Sequence, residues 1–303
     1  MVLKKILLFN LFTLLLLASS IEPIPTNIEF DYNKAILGKK LFFDTKLSKN
    51  NSISCATCHD LNNGGDDGLK FSVGINGQVG NINAPTVLNS VFNFRQFWDG
   101  RAKDLAEQAK GPIENPIEMG HEFSELIKVL KENSFYKKSF KSIYKEGITK
   151  DNIANAIAEF EKTLITPNAS FDKYLKGDEN AITSFEKEGF DLFKDKGCIS
   201  CHNGINIGGN LYSKFGMIID IDSKNLGKYN VTKNELDKYY FKVPSLRNIS
   251  STAPYFHDGR FSDLKEVVKT MALVQLGRPV TDLEIEKIVA FLKTLNGELK
   301  IIE

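Results

Sequence analysis

Two five-residue stretches decide the reading: Cys55-Ala56-Thr57-Cys58-His59 and Cys198-Ile199-Ser200-Cys201-His202. Both have the form Cys-x-x-Cys-His, the attachment signature of c-type haem. Two thiols separated by two residues match the spacing of the two haem vinyl groups. The His that follows falls under the iron as an axial ligand. The chain has 4 Cys and 4 His, so the two motifs use every cysteine. A redox dithiol or a four-thiolate zinc site leaves the His after each second Cys unexplained. The spacing therefore predicts two covalently bound haem c groups, held through Cys55, Cys58, Cys198 and Cys201. His59 and His202 are the predicted proximal ligands to iron.

Outward from these motifs the chain repeats itself. Pro85-Thr86-Val87-Leu88-Asn89 precedes Phe97-Trp98-Asp99-Gly100-Arg101, Asp104-Leu105 and Glu107. Pro244-Ser245-Leu246-Arg247-Asn248 precedes Phe256-His257-Asp258-Gly259-Arg260, Asp263-Leu264 and Glu266 at the same offsets. Leu41-Phe42 and Leu192-Phe193 stand ahead of the two haem motifs. The chain reads as a duplication of one haem unit.

Helical periodicity dominates. Ile153, Ile157, Phe160 and Leu164 form one apolar stripe, and Ile285, Ile288, Val289, Leu292 and Leu295 form another. Thr281 with Glu284 reads as a capping box at the start of the second stripe, and Gly297 as its close. Residues 62–84 and 203–240 read as long irregular loops, which are often functional. The expected fold is mainly α: two cytochrome c-like haem domains, 21–166 and 167–303, meeting near Thr166-Pro167-Asn168. At 303 residues the length suits about two domains. The balance of 39 basic against 38 acidic residues shows no basic excess, so nucleic acid is not an expected partner.

Lys4 and Lys5, the apolar run from Ile6 to Leu17 and the small residues Ala18-Ser19-Ser20 read as a cleavable signal peptide over 1–20. The run is too short to span a bilayer. The expected location is the periplasm.

The iron chemistry turns on the sixth ligands, since a haem ligated on both faces carries electrons and an open one reacts with small molecules. Beyond the proximal pair the candidates are Met119, Met217, Met271, His121 and His257. Taken alone, Met271 reads as a core residue of an apolar helix, Trp98 as a core aromatic, Glu118 as a solvated carboxylate and His121 as a surface residue. Gln108 alone says nothing.

Longer blocks change those readings. Phe97-Trp98-Asp99-Gly100-Arg101-Ala102, Leu105-Ala106-Glu107-Gln108-Ala109, Thr163-Leu164-Ile165-Thr166-Pro167 and Thr252-Ala253-Pro254-Tyr255-Phe256-His257 resemble the bacterial di-haem cytochrome c peroxidases through most of the chain. The resemblance implies an N-terminal peroxidatic domain and a C-terminal electron-transfer domain. It implies His202 and Met271 as ligands of the C-terminal haem and His59 as the ligand of the peroxide-binding haem. Trp98 would assist electron passage between them, and Glu118 and Gln108 would line the peroxide pocket as catalytic residues. It further implies calcium at Asn83 and at the carbonyls of Thr252 and Pro254. The implied substrate is hydrogen peroxide, the electron donor a small cytochrome c or cupredoxin, and the assembly a homodimer.

One departure stands out. Family members that rest inactive carry a blocking His in the loop after the first haem motif, where this chain has Ser72-Val73-Gly74-Ile75-Asn76-Gly77-Gln78. Ile75 holds the His position and cannot bind iron. No His lies between His59 and His121. The expectation is an open N-terminal haem, active in its oxidised state, with Met119 or His121 as the only substitutes for the blocking ligand. Two other functions are weighed against peroxide reduction. One is oxidation of aromatic residues in a partner protein, whose family enzymes carry Tyr where Met271 stands. The other is plain two-haem electron transfer.

Overall fold

The computed structural model describes residues 21–303, so the expected signal segment lies outside the described residues. The first half carries α1 (Tyr32–Phe42), α2 (Leu105–Glu114), α3 (Phe123–Glu132), α4 (Ser134–Ile143) and α5 (Lys150–Lys162). The second half carries α6 (Ser170–Leu175), α7 (Ser184–Asp195), α8 (Leu264–Val274) and α9 (Asp282–Lys293). The first haem motif forms a one-turn helix, Cys55–Cys58, and the second a 3₁₀ turn, Cys198–Ser200. Among the described residues no helix is long and apolar enough to cross a membrane.

The helices begin where side chains can satisfy their free N–H groups. Thr149 accepts from the Asn152 N–H at the start of α5. Thr281 and Glu284 make the expected capping box on α9, and Thr183 with Glu186 repeats it on α7. The stripe of α5 is wholly inside, with Ile153, Phe160 and Leu164 fully buried.

Two hydrophobic clusters result. One runs through residues from Leu37 to Leu164, and the other from Phe171 to Leu295. The two ends of the described residues cross over: Ile21 packs on the second cluster, and Leu299, Ile301 and Ile302 pack on the first.

The duplication is visible in the backbone. Gly38 of α1 lies against the Ala156 carbonyl and Phe160 of α5, and Gly189 of α7 lies against the Lys287 carbonyl and Phe291 of α9. Asn89 and Asn248 both adopt left-handed conformations with φ of 59° and both precede a 3₁₀ turn. Phe97 and Phe256 share φ of 68°. The two halves meet at Thr166, whose Oγ1 accepts from the Asn89 and Asn248 side-chain amides, each at 2.8 Å.

Two local expectations are corrected. Gly297 does not close α9, which ends at Lys293 with Thr294 as its cap. Gly297 instead permits close approach, since a Cβ there would strike the carbonyls of Thr166 and Pro167. The stretch 203–240 is not wholly irregular. Tyr212–Lys214 (β1) pairs antiparallel with Tyr240–Lys242 (β2), placing Tyr212 opposite Lys242.

Candidate active site

Each Cys-x-x-Cys-His motif opens onto its own cleft. In both, the His Nδ1 faces a carbonyl oxygen: His59 meets Gly65 O at 3.1 Å and His202 meets Ile207 O at 3.2 Å. A carbonyl can only accept, so Nδ1 carries the proton and Nε2 keeps its lone pair for a metal. Burial lowers both imidazoles, His202 to about 4, which holds them neutral as ligands must be. Burial also pushes the Cys58 and Cys198 thiols up to about 11. Such thiols are not the activated thiolates of a redox dithiol.

The first cleft is lined by Cys58, His59, Arg101, Gln108, Asn115 and Glu118. Gln108 comes from α2, and the segment after α2 brings Glu118 back towards it. The Asn115 amide donates to Glu118 Oε1 at 2.6 Å. Burial raises the Glu118 carboxyl above its usual range, opposed by the Asn115 hydrogen bond and by the Arg101 charge. Glu118 is thus a partly buried carboxyl held by Asn115 at the cleft wall, not a solvated carboxylate.

His59 is the only His or Met that lines this cleft among the described residues. Met119 is buried in the first hydrophobic cluster. His121 is also buried, at 7% exposure, with Nδ1 3.2 Å from Glu122 O, which corrects its expected place at the surface. Ile75 belongs to the first cluster, packed near Gly120, and its N–H donates to Glu118 O at 2.8 Å. Its neighbour Gly74, not Ile75, borders the cleft.

The second cleft is more apolar. Cys198, Cys201 and His202 share its walls with Met271 of α8, Val267 and Leu292. Met217 is 48% exposed and does not border it. Trp98 borders both clefts. Its Nε1–H donates to Asn83 O at 2.9 Å, and the Asn83 N–H donates to His257 O at 2.8 Å. Its indole meets the His257 ring edge-on at 6.2 Å. His257 Nε2 lies 2.8 Å from Ser223 Oγ and its ring stacks on Phe241, a structural role consistent with its place in the repeat.

Residues 32–180 match the family model for di-haem cytochrome c peroxidase, and residues 186–296 match that for cytochrome c. The chain is 50% identical to a cytochrome c551 peroxidase of Nitrosomonas europaea over 283 residues, spanning 92% of this chain and 84% of the relative. The chain belongs to the bacterial di-haem cytochrome c peroxidases. A cytochrome c551 peroxidase of Pseudomonas aeruginosa is 46% identical over 86% of this chain and 78% of its own. Among solved structures, a MauG-like protein associated with microbial copper homeostasis superposes with a TM-score of 0.80 at 26% identity, covering 92% of this chain and 93% of that one.

Two haem c groups go with that family, and the clefts fit them. Cys198, Cys201 and His202 line the second, while Cys58 and His59 line the first with Cys55 packed against the first hydrophobic cluster, and each His is neutral with a free Nε2. Three buried polar groups at the clefts escaped the sequence reading. Asp66 borders the second cleft with Asn83, Thr252 and Pro254, is 2% exposed and has no partner for Oδ1. Burial lifts its carboxyl to about 7. Glu161 borders the first cleft, has no partner for Oε2 and is lifted to about 8 by burial. Lys242 borders the second cleft. Lys242 stands alone between Phe241 and Val243, but Asp66 adjoins Asp67 and Glu161 adjoins Lys162, so in sequence they read as ordinary surface charges and only burial marks them out.

Proposed function

We propose that this peroxidase is exported to the periplasm and reduces hydrogen peroxide to water in its fully oxidised state. A small cytochrome c or cupredoxin would supply the electrons. The observation that carries the oxidised-state reading is the first cleft itself, where His59 has no second His or Met facing it among the described residues. Ile75, at the position of the blocking His, lies in the apolar core instead.

Bound in this cleft, haem supplies an iron site for peroxide and a store of oxidising equivalents. The side chains supply the protons. Glu118, lining that cleft, would accept a proton from one peroxide oxygen and return it to the other, so that the O–O bond could break with water as the leaving group. A raised carboxyl suits both halves of that transfer. Gln108, on the same wall, orients the peroxide. Two electrons and two protons complete the reduction to two waters. His202 and Met271, which line the second cleft, would hold the haem that receives the electrons, and a thioether ligand would raise its potential. Trp98, on the wall common to both clefts, forms the route between them.

Calcium belongs to the same proposal. Asn83 Nδ2 donates to Leu69 O at 2.8 Å, so its Oδ1 is the atom left for a cation. The carbonyls of Thr252 and Pro254 accept no backbone hydrogen bond among the described residues. Oxygen donors of this kind suit a hard cation. The homodimer rests on family resemblance.

The test is peroxide turnover by the as-isolated oxidised protein, compared with the same protein after one-electron reduction. Equal rates are expected. Activity only after pre-reduction would overturn the open-cleft reading and direct substitution to Met119 and His121. No activity in either state would favour oxidation of a partner protein or simple electron transfer.

A further inference from the structure

Lys242 is a buried cation without an anion. It sits on β2 at 6% exposure, and its backbone N–H donates to Trp98 O at 2.8 Å. Among the described residues its Nζ makes no ion pair, and burial alone acts on it, lowering it to about 8. Its neighbours differ. Lys214 pairs with Asp220 and Lys228 with Asp237, each at 2.9 Å. The other deeply buried cation, Arg247, pairs with the fully buried Asp172 at 2.6 Å. An ammonium left without an anion at a buried cleft wall is strongly unfavourable. A methionine of similar length would fill the space without that penalty.

The missing anion must come from what fills the cleft. Lys242 borders the second cleft together with His202, Met271 and Trp98. A haem attached there brings two propionate carboxylates, and these are its only charged substituents. We propose that Lys242 is a positioning residue for the second haem, pairing its ammonium with a propionate carboxylate on the side of the cleft that Trp98 forms. The backbone link from Lys242 to Trp98 then ties the edge of that haem to the indole that borders both clefts. The ammonium also balances the propionate charge, which favours the ferrous state in the same direction as Met271. This rests on the reading of His202 and Met271 as that haem's ligands.

The experiment is a spectroscopic redox titration of holoprotein carrying Lys242→Met or Lys242→Arg, with the propionate-bending band read by resonance Raman. Lys242→Met should lower the midpoint potential of the second haem and shift its propionate band. Lys242→Arg should keep both near the starting values. The thioether-to-iron absorption band reports Met271 separately and should persist in both variants. An unchanged potential and band in Lys242→Met overturns the proposal. Loss of the thioether band in that variant also overturns it, by assigning the shift to the iron ligand. Absence of the thioether band already in the unsubstituted protein would instead sink the Met271 reading. If Lys242→Met does not take up haem, Lys242→Gln carries the same test, since it removes the charge and keeps a donor.

Discussion

Glu118 shows how much a single side chain's setting decides. In sequence it is one carboxylate among 38 acidic residues; in the fold it borders the first cleft and accepts from Asn115. In the proposed role of proton carrier it must accept before it donates, so the resting form that works is the carboxylate. Its pKa is raised, so the active form is lost as pH falls through that raised value and is present above it. Turnover should therefore show an acid limb above the ordinary carboxylate range. Glu118→Gln should cost about 10²–10⁴-fold in turnover and remove that limb, while peroxide still perturbs the haem spectrum in stopped flow. Near-normal turnover would exclude Glu118 as the carrier. The Cys-x-x-Cys-His motifs were legible because their chemistry lies in adjacent residues. Asp66, Glu161 and Lys242 were not, because burial is set by segments distant in sequence.

At the scale of elements, the two helix crossings are the part of the fold most tightly specified. Gly38 and Gly189 sit where α1 meets α5 and α7 meets α9, and a Cβ at either would fall inside contact distance of a backbone carbonyl. Neither has positive φ, so Ala is strained by the crossing and not by its own backbone. Helix propensity favours Ala over Gly by up to about 1 kcal/mol. Overpacking against backbone costs about 1–3 kcal/mol or more, and it should win. Gly38→Ala and Gly189→Ala should each lower the thermal midpoint, by similar amounts, because the contacts are alike. A midpoint raised by either would mean that the helices separate freely. The apolar stripes of α5 and α9 and the Thr281–Glu284 box were readable because period and caps are local. The same box at Thr183–Glu186 is as local and could have been read. Gly297 was misread because a glycine past a helix looks like a cap, whereas its reason is the chain that passes beside it.

For the whole molecule, the repeat predicted a duplicated architecture, but not how the copies join. The joint is Thr166, in the segment that links α5 to α6. Its hydroxyl oxygen accepts from Asn89 of the first copy and Asn248 of the second. The Thr166 N–H donates to Asn89 Oδ1 at 2.8 Å, and the Gly297 N–H donates to Asn248 Oδ1 at 3.0 Å. All three side chains are buried, with Thr166 at 1%, Asn89 at 0% and Asn248 at 4% exposure. Thr166→Val preserves the shape and removes the acceptor, leaving two buried amide groups without a partner. Each such orphan costs about 1–3 kcal/mol. Thr166→Val should therefore lower the denaturant midpoint well beyond the effect of an ordinary surface change, while Thr166→Ser, which keeps the oxygen, should recover most of it. Because one atom serves both copies, the visible spectra of both haems should change together as the variant unfolds. Loss of one haem's native spectrum at a midpoint where the other is untouched would show that the copies fold independently and that Thr166 does not couple them.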